Sequence, residues 1–185
     1  MRALRLLMTT AMFSLALSGV CSGQYGACRT AFDFETAADL SNLVYQCHTW
    51  FQLSDRHATK GKKSLKVELY PPAEYPGLKF VGLKGQWKGA RYLLLDIFNP
   101  MGKDLTMTIR IDDRPGHPPY EDRVNHRVVL KPGQNTVVLD LAKLRTSGTD
   151  RALEPENVHR FLLFANRPKG PITIFVDNIR LCKGK

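Results

Sequence analysis

Beyond its first segment the chain contains no run approaching the roughly 20 apolar residues that a membrane span requires, which excludes a transmembrane helix there. None of its four cysteines stands in a Cys-x-x-Cys pair, so zinc-ribbon and thioredoxin-type readings have no support. A Gly-x-Ser-x-Gly elbow, a His-Glu-x-x-His helix and a phosphate-cradling glycine loop are all missing. The five histidines are dispersed, and none has ligand spacing with a second. Helical periodicity is scarce, and no repeat, low-complexity tract or linker interrupts the chain.

What is present begins with a leader. Arg2 and Arg5 precede the apolar run Leu6 to Leu17, and Ser18, Gly19, Ser22 and Gly23 close it, the pattern of a secretory signal peptide over residues 1–23. Lipid attachment at Cys21 is a minor alternative, because Ser18-Gly19-Val20 matches the usual lipidation sequence poorly. The expectation is a secreted or periplasmic protein. Its remaining segment, 24–185, has a length suited to one domain. Setting aside Arg2 and Arg5 leaves 25 basic against 17 acidic side chains, a net charge of +8. Such a charge serves solubility and also favours acidic glycans or a cell envelope. Nucleic acid is disfavoured, since the Lys and Arg residues are scattered rather than gathered on one stripe.

Period-two alternation marks half-buried strands at Leu65 to Leu69, Leu105 to Asp112, Val137 to Leu141 and Ile172 to Val176. Tyr92 to Phe98 and Phe161 to Ala165 are continuously apolar, as expected of strands covered on both faces. Gly- and Pro-bearing turns at 60–62, 99–102, 131–135 and 168–171 separate them. Short helical turns are expected at Ala37 to Asn42 and at Glu154 to Val158. The fold class is all-β, a single-domain β-sandwich.

Phe32-Asp33-Phe34-Glu35 and Phe175-Val176-Asp177-Asn178-Ile179-Arg180-Leu181 are strand patterns at opposite ends of the domain, each carrying a carboxylate. Side by side in one sheet they make Glu35 and Asp177 neighbours, and adjacent carboxylates need a cation or a shared proton. The same pairing brings Cys28 close to Cys182, the disulfide expected in an oxidising compartment with Cys47 left as a buried thiol; Cys28 with Cys47 is the other possibility.

The succession Phe32-Asp33-Phe34-Glu35, Ser54 through His57-Ala58-Thr59-Lys60-Gly61-Lys62-Lys63-Ser64-Leu65, Trp87-Lys88-Gly89-Ala90-Arg91-Tyr92-Leu93, Asp96-Ile97-Phe98-Asn99-Pro100, Leu130 to Thr136 and Val176 to Leu181 resembles carbohydrate-binding modules of the galactose-binding-domain-like jelly-roll superfamily. The resemblance covers nearly the whole domain. It implies a structural calcium ion at the joined ends, held by Glu35 and Asp177 with backbone oxygens of the Lys60 to Lys63 turn, and with Asp33 as a substitute ligand. The other reading of these carboxylates is pairing with nearby Lys or Arg.

Sugar recognition combines aromatic faces with planar polar groups. Arg110 and Asp112 share the polar face of one strand, and the Pro-rich loop after it holds Tyr120 and leads to Arg123. These four residues are the candidate ligand-binding set, with Trp50 as a stacking candidate. The same loop reads equally well as a salt-bridge network, and a strand tryptophan is more often core. Tyr70 and Tyr75, around Pro71-Pro72, are weaker candidates for a ligand edge, and Trp87 reads as packing. The leading expectation is a non-catalytic protein that binds a polysaccharide, including acidic ones. A separate enzyme or an envelope component is the implied partner. The alternatives are an envelope-associated interaction protein and, less favoured, a small glycoside-active enzyme using Asp112, Asp113, Glu121 or Asp122.

Overall fold

The computed structural model describes residues 24–45 and 48–185; the expected leader, Cys21 and Cys47 lie outside the described residues. The described chain forms β1 (Cys28–Phe32), β2 (Leu43–Tyr45), β3 (Thr49–Ser54), β4 (Ser64–Leu69), β5 (Gly77–Phe80), β6 (Tyr92–Asn99), β7 (Leu105–Asp112), β8 (Val124–Leu130), β9 (Gly133–Asp140), β10 (Arg160–Phe164) and β11 (Ile172–Cys182). One sheet runs β3-β4-β11-β6-β9, with β1 also on β11; the other runs β2-β5-β10-β7-β8, and every pairing is antiparallel. The expected turns appear as 3₁₀ segments at Ala37–Asn42 and Pro155–Asn157.

The alternating strands sort their side chains as their period requires. Leu65, Val67 and Leu69 from β4 are buried in the same core cluster as Met107, Ile109 and Ile111 of the facing sheet, while Lys66 and Glu68 point away and pair at 2.9 Å. Aromatic packing anchors the middle of the sandwich. Phe80 and Phe161 stack with ring centroids 4.2 Å apart, and Trp87, fully buried as its packing reading requires, meets Phe161 edge-on at 5.9 Å.

Two readings of the strands change. In β10 only Phe161 and Leu163 enter the core; Leu162 and Phe164 point outward, where side chains rather than another layer cover them. In β8, which alternation did not reveal, Val124, Val128 and Leu130 point inward, but His126 at the remaining inward position breaks the apolar pattern.

The two outer faces of the sandwich differ. Over the first sheet the segment before β4 lays the His57 ring on Phe98 at 3.5 Å and the Arg56 guanidinium over Phe175 at 5.5 Å, covering the sheet's middle. The second sheet has its own outward row in register: Lys79, Leu162, Arg110 and Asn125.

The chain ends pair as expected. Cys28 faces Cys182 across β1 and β11, and the two form a disulfide over a sequence separation of 154. The strand reading of Asp33 to Glu35 is corrected, since β1 ends at Phe32 and Phe34 adopts φ +54°. That turn buries the Phe34 ring beside Phe32 at a centroid distance of 5.9 Å. A cross-link closing so long a loop constrains the unfolded chain strongly. The double substitution Cys28→Ser and Cys182→Ser is expected to lower Tm by roughly 5–15 °C, corresponding to about 2–4 kcal/mol, in a calorimetric melt. An unchanged Tm would show the end pairing to be held by hydrogen bonds alone.

Candidate functional site

On the outward face of the second sheet lies a groove of about 260 Å³. Its floor is the row Leu162, Arg110 and Asn125, in register across β10, β7 and β8, continued by Phe164 one pair further along. Tyr75, 49% exposed, closes one side and meets Phe164 edge-on at 5.9 Å. Tyr120, 65% exposed, and Arg123 form the other side. Guanidinium and amide donors therefore sit between aromatic and aliphatic surfaces, the mixture that grips a ring with one apolar face and hydroxyls around its edge.

Arg110, Tyr120 and Arg123 are thus brought together as the sequence indicated. Asp112 is close but does a different job. Its side chain has no exposure and accepts Arg110 Nε at 2.8 Å and Arg110 Nη2 at 2.7 Å. Arg160, its cross-strand partner on β10, adds Nε at 2.7 Å and donates through Nη2 to the Gly116 carbonyl. Asp112 therefore orients two guanidinium groups and is shielded from any ligand. Arg123 donates Nε to the Pro118 carbonyl at 2.7 Å. Burial, and then the charge of Arg110, hold the Arg123 guanidinium below its ordinary pKa despite the opposing pull of Asp112.

The salt-bridge network expected of the loop is present, and it extends beyond Asp112. Arg151 forks onto Asp113 at 2.7 and 2.8 Å and reaches Asp122 at 2.9 Å, while Arg114 binds Glu154 at 2.6 and 2.9 Å. Burial pushes the Asp113 carboxyl up, but the Arg151 hydrogen bonds and the Glu154 amide outweigh it and hold it below the usual carboxylate range. This network fixes the segment that presents Tyr120.

Trp50 is not part of the groove. It is 60% exposed on β3, the edge strand of the other sheet. Of the loop tyrosines, Tyr75 reaches the groove and Tyr70 does not line it. Leu162, Phe164, Asn125 and Arg160 escaped the sequence reading; the signal available was a polar residue, Arg160, opening an otherwise apolar strand.

The seam between the chain ends lies on the first sheet. One edge of β11 pairs with β4 up to Val176 and with β1 from Ile179, so Asp177 and Asn178 fall at the changeover, where Asn178 takes φ +48°. The segment 59–63 fills this gap. Asp177 Oδ2 accepts the amides of Thr59 at 2.6 Å and Lys60 at 2.8 Å, and Glu35 Oε1 accepts those of Lys62 and Lys63, both at 2.8 Å. Gly61 between them has φ +71°, and a Cβ there would collide with the Glu35 carboxylate. The carboxylate adjacent to Asp177 is Asp96, its cross-strand partner, rather than Glu35; Thr59 Oγ1 lies 3.0 Å from both, and Arg180 binds Asp96 at 2.8 Å. Burial raises the Asp177 pKa, with the Thr59 and Lys60 amides opposing.

These donors bear on calcium, which needs six to eight oxygens. The segment turns N–H groups toward Glu35 and Asp177, and Lys60 Nζ stands 3.7 Å from Asp33. Among the described residues no three His, Cys, Asp or Glu side chains gather as a metal would need. In this structure backbone N–H groups of 59–63, rather than carbonyl oxygens, face the two carboxylates and solvate their charge, a donor set that does not fit a calcium shell.

Two outcomes follow from this chemistry. Saturating calcium followed by a chelator is expected to move Tm by less than about 2 °C, whereas binding at even 100 times Kd would add about 2.7 kcal/mol and a larger shift. For the loop, a lowered carboxyl pKa contributes stability that is present above the ordinary Asp value and lost as pH falls through the folded value. Protection factors of amides in 113–122, that is exchange corrected for its intrinsic pH dependence, should therefore fall below about pH 4, and Asp113→Asn should lower them already at neutral pH and flatten that fall. Protection factors that stay constant across that window would mean that Arg151 does not hold the loop.

No family model and no curated protein sequence matches this chain. Its structure does match solved ones. An exo-β-agarase superposes with a TM-score of 0.68 at 16% identity, over 84% of this chain and 25% of that chain. A family 11 carbohydrate-binding module from Clostridium thermocellum, solved in complex with a β-1,3-1,4-mixed-linked tetrasaccharide, gives 0.66 at 16% identity over 86% of this chain and 97% of the module. The agarase AgWH50C gives 0.63 at 14% identity, over 84% and 26%. The chain spans about a quarter of either agarase and nearly the whole of the module. It has the fold of the β-sandwich carbohydrate-binding modules.

Proposed function

We propose that this chain is a non-catalytic, exported protein that binds a polysaccharide segment in the groove of its second sheet. The observation that carries the reading is the groove itself, where Tyr75, Phe164 and Tyr120 flank the donors of Arg110 and Asn125. Sugar rings offer apolar C–H faces and equatorial hydroxyls, and this lining meets both. The sandwich fold shared with a module solved on a tetrasaccharide supports the same reading.

A non-catalytic role is supported by the lining. Glycosidases place two carboxyl groups across the scissile bond. Among the described residues no carboxylate lines the groove, and Asp112 lies buried beneath its arginines. The Cys28–Cys182 disulfide supports export to an oxidising compartment, secreted or periplasmic. The net positive charge supports acidic polysaccharides among the ligands.

Affinity electrophoresis and calorimetry against a panel of neutral and acidic polysaccharides test the reading. Tyr120→Ala and Tyr75→Ala are each expected to weaken binding by about tenfold, the scale of one well-placed aromatic anchor. Trp50→Ala should leave affinity unchanged. Binding lost in Trp50→Ala and retained in both tyrosine variants would move the site to the other sheet. A folded protein that binds no polysaccharide would overturn the reading and favour a protein partner.

A further inference from the structure

The groove's electrostatics go beyond sugar stacking. Resting on the reading of the groove as a polysaccharide site, we propose that Arg110, Arg123 and Arg160 form an oxyanion subsite that takes the carboxylate or sulfate group of an acidic sugar residue.

Charge balance is the first argument. Arg110 and Arg160 both bind the single buried carboxylate of Asp112, which neutralises one of them. Arg123 has no carboxylate within ion-pair distance among the described residues; its Nε is spent on the Pro118 carbonyl. Three guanidinium charges thus meet one carboxylate in contact, Asp112, and one at longer range, Glu121, leaving an excess of positive charge at the Arg110–Arg123 end of the groove. Burial holds the Arg123 pKa down, with the neighbouring charges of Arg110 and Arg160 adding to it, as expected where cations converge. Removing charge from water without a counter-ion is costly, and an anionic ligand supplies the counter-ion.

Donor arithmetic is the second. Each guanidinium carries five N–H groups. Asp112 takes three of the combined set, and the Pro118 and Gly116 carbonyls take one each, so about ten have no protein partner, and those that reach the surface can meet a ligand. Planar forks of this kind match the paired oxygens of a carboxylate or sulfate. The surrounding face continues the sign. Lys79 pairs with Leu162 in the same row, and Arg127 pairs with Thr108 one step along β8; Glu121, beside Tyr120, is the acidic group that also acts on Arg123. A polymer with a charge on successive residues would meet cations along this face.

The test compares a polyuronate, a sulfated galactan, neutral agarose and a mixed-linked β-glucan by calorimetry at fixed ionic strength. At least one acidic polymer is expected to bind about tenfold or more tightly than the neutral ones, and whichever class does so identifies the oxyanion as carboxylate or sulfate. Arg123→Gln, at a residue whose side chain bonds only the Pro118 carbonyl, should lose at least about tenfold toward that polymer, with Arg123→Lys intermediate and Tm unchanged. Arg127→Gln, on the same face outside the three, should lose less than about fivefold, as a solvent-exposed charge does. Arg160→Gln should match Arg123→Gln, and if it fails to fold the Arg123 pair decides alone. Equal binding of acidic and neutral polymers, or equal losses in Arg123→Gln and Arg127→Gln, would overturn the subsite. Neutral-polymer binding that depends on Tyr75 and Tyr120 without acidic preference would overturn it and leave the polysaccharide reading standing; no binding at all would end both.

Discussion

β11 carries the first sheet, and much of the rest follows from how its edge is divided. β4 occupies the first half of that edge and β1 the second, while β6 runs along the opposite side. A shared edge leaves a break in the ladder at Asp177 and Asn178, and backbone groups at such a break need partners. Asp177 Oδ1 accepts the Asn178 amide and Arg180 donates to the Asn178 carbonyl, while the segment 59–63 is strapped over the break by its amides on Asp177 and Glu35, which fixes Gly61 as the residue without a Cβ. With its end strapped there, the segment lays Arg56 and His57 over the sheet. The outer face of the first sheet is occupied for this structural reason, and the face of the second sheet is left for a ligand.

That second face depends on Asp112. A carboxylate with no exposure is tolerated only when its oxygens are paired, and here Arg110 and Arg160 together provide three hydrogen bonds. The arrangement fixes the guanidinium groups in turn. Arginine side chains carry considerable rotamer freedom, and anchoring both to one buried anion removes it before a ligand arrives. The site is ordered by an anion it never shows to solvent.

How much of this was legible in the sequence depends on the distance over which each feature is decided. Strands with period two, such as Leu105 to Asp112, announce their facing locally, and β7 matches that span. The Cys28–Cys182 bond was legible once the two ends were paired, because Cys28 lies four residues before Phe32 and Cys182 five after Asp177, close enough to meet even though Phe32 in fact pairs with Ile179. Leu162 and Phe164 were hidden because an apolar outward residue in a groove looks like a core residue in a one-dimensional pattern. Asp112 was read as a ligand contact because Arg160, 48 residues further on, is what buries it. Asp96 was missed as the neighbour of Asp177 for a similar reason, since β6 contributes it from inside a continuous apolar run. Trp50 was ambiguous by composition alone, and only its position on an edge strand of the other sheet separates it from the groove.

In the rim loop the ion-pair reading of 110–123 is compatible with the proposed binding role. A polymer gripping one short groove pays in lost freedom for every side chain it must immobilise. Tyr120 sits on a segment whose two ends are tied by Arg151 to Asp113 and Asp122, with Arg114 and Glu154 pairing alongside. The Gly148 and Thr149 amides add further ties to the Glu121 carbonyl. Most of that ordering cost is therefore met during folding rather than during binding. The exposed Tyr120 ring is presented on a framework that ion pairs have already set, and the carboxylates outside the groove contribute by holding that framework in place.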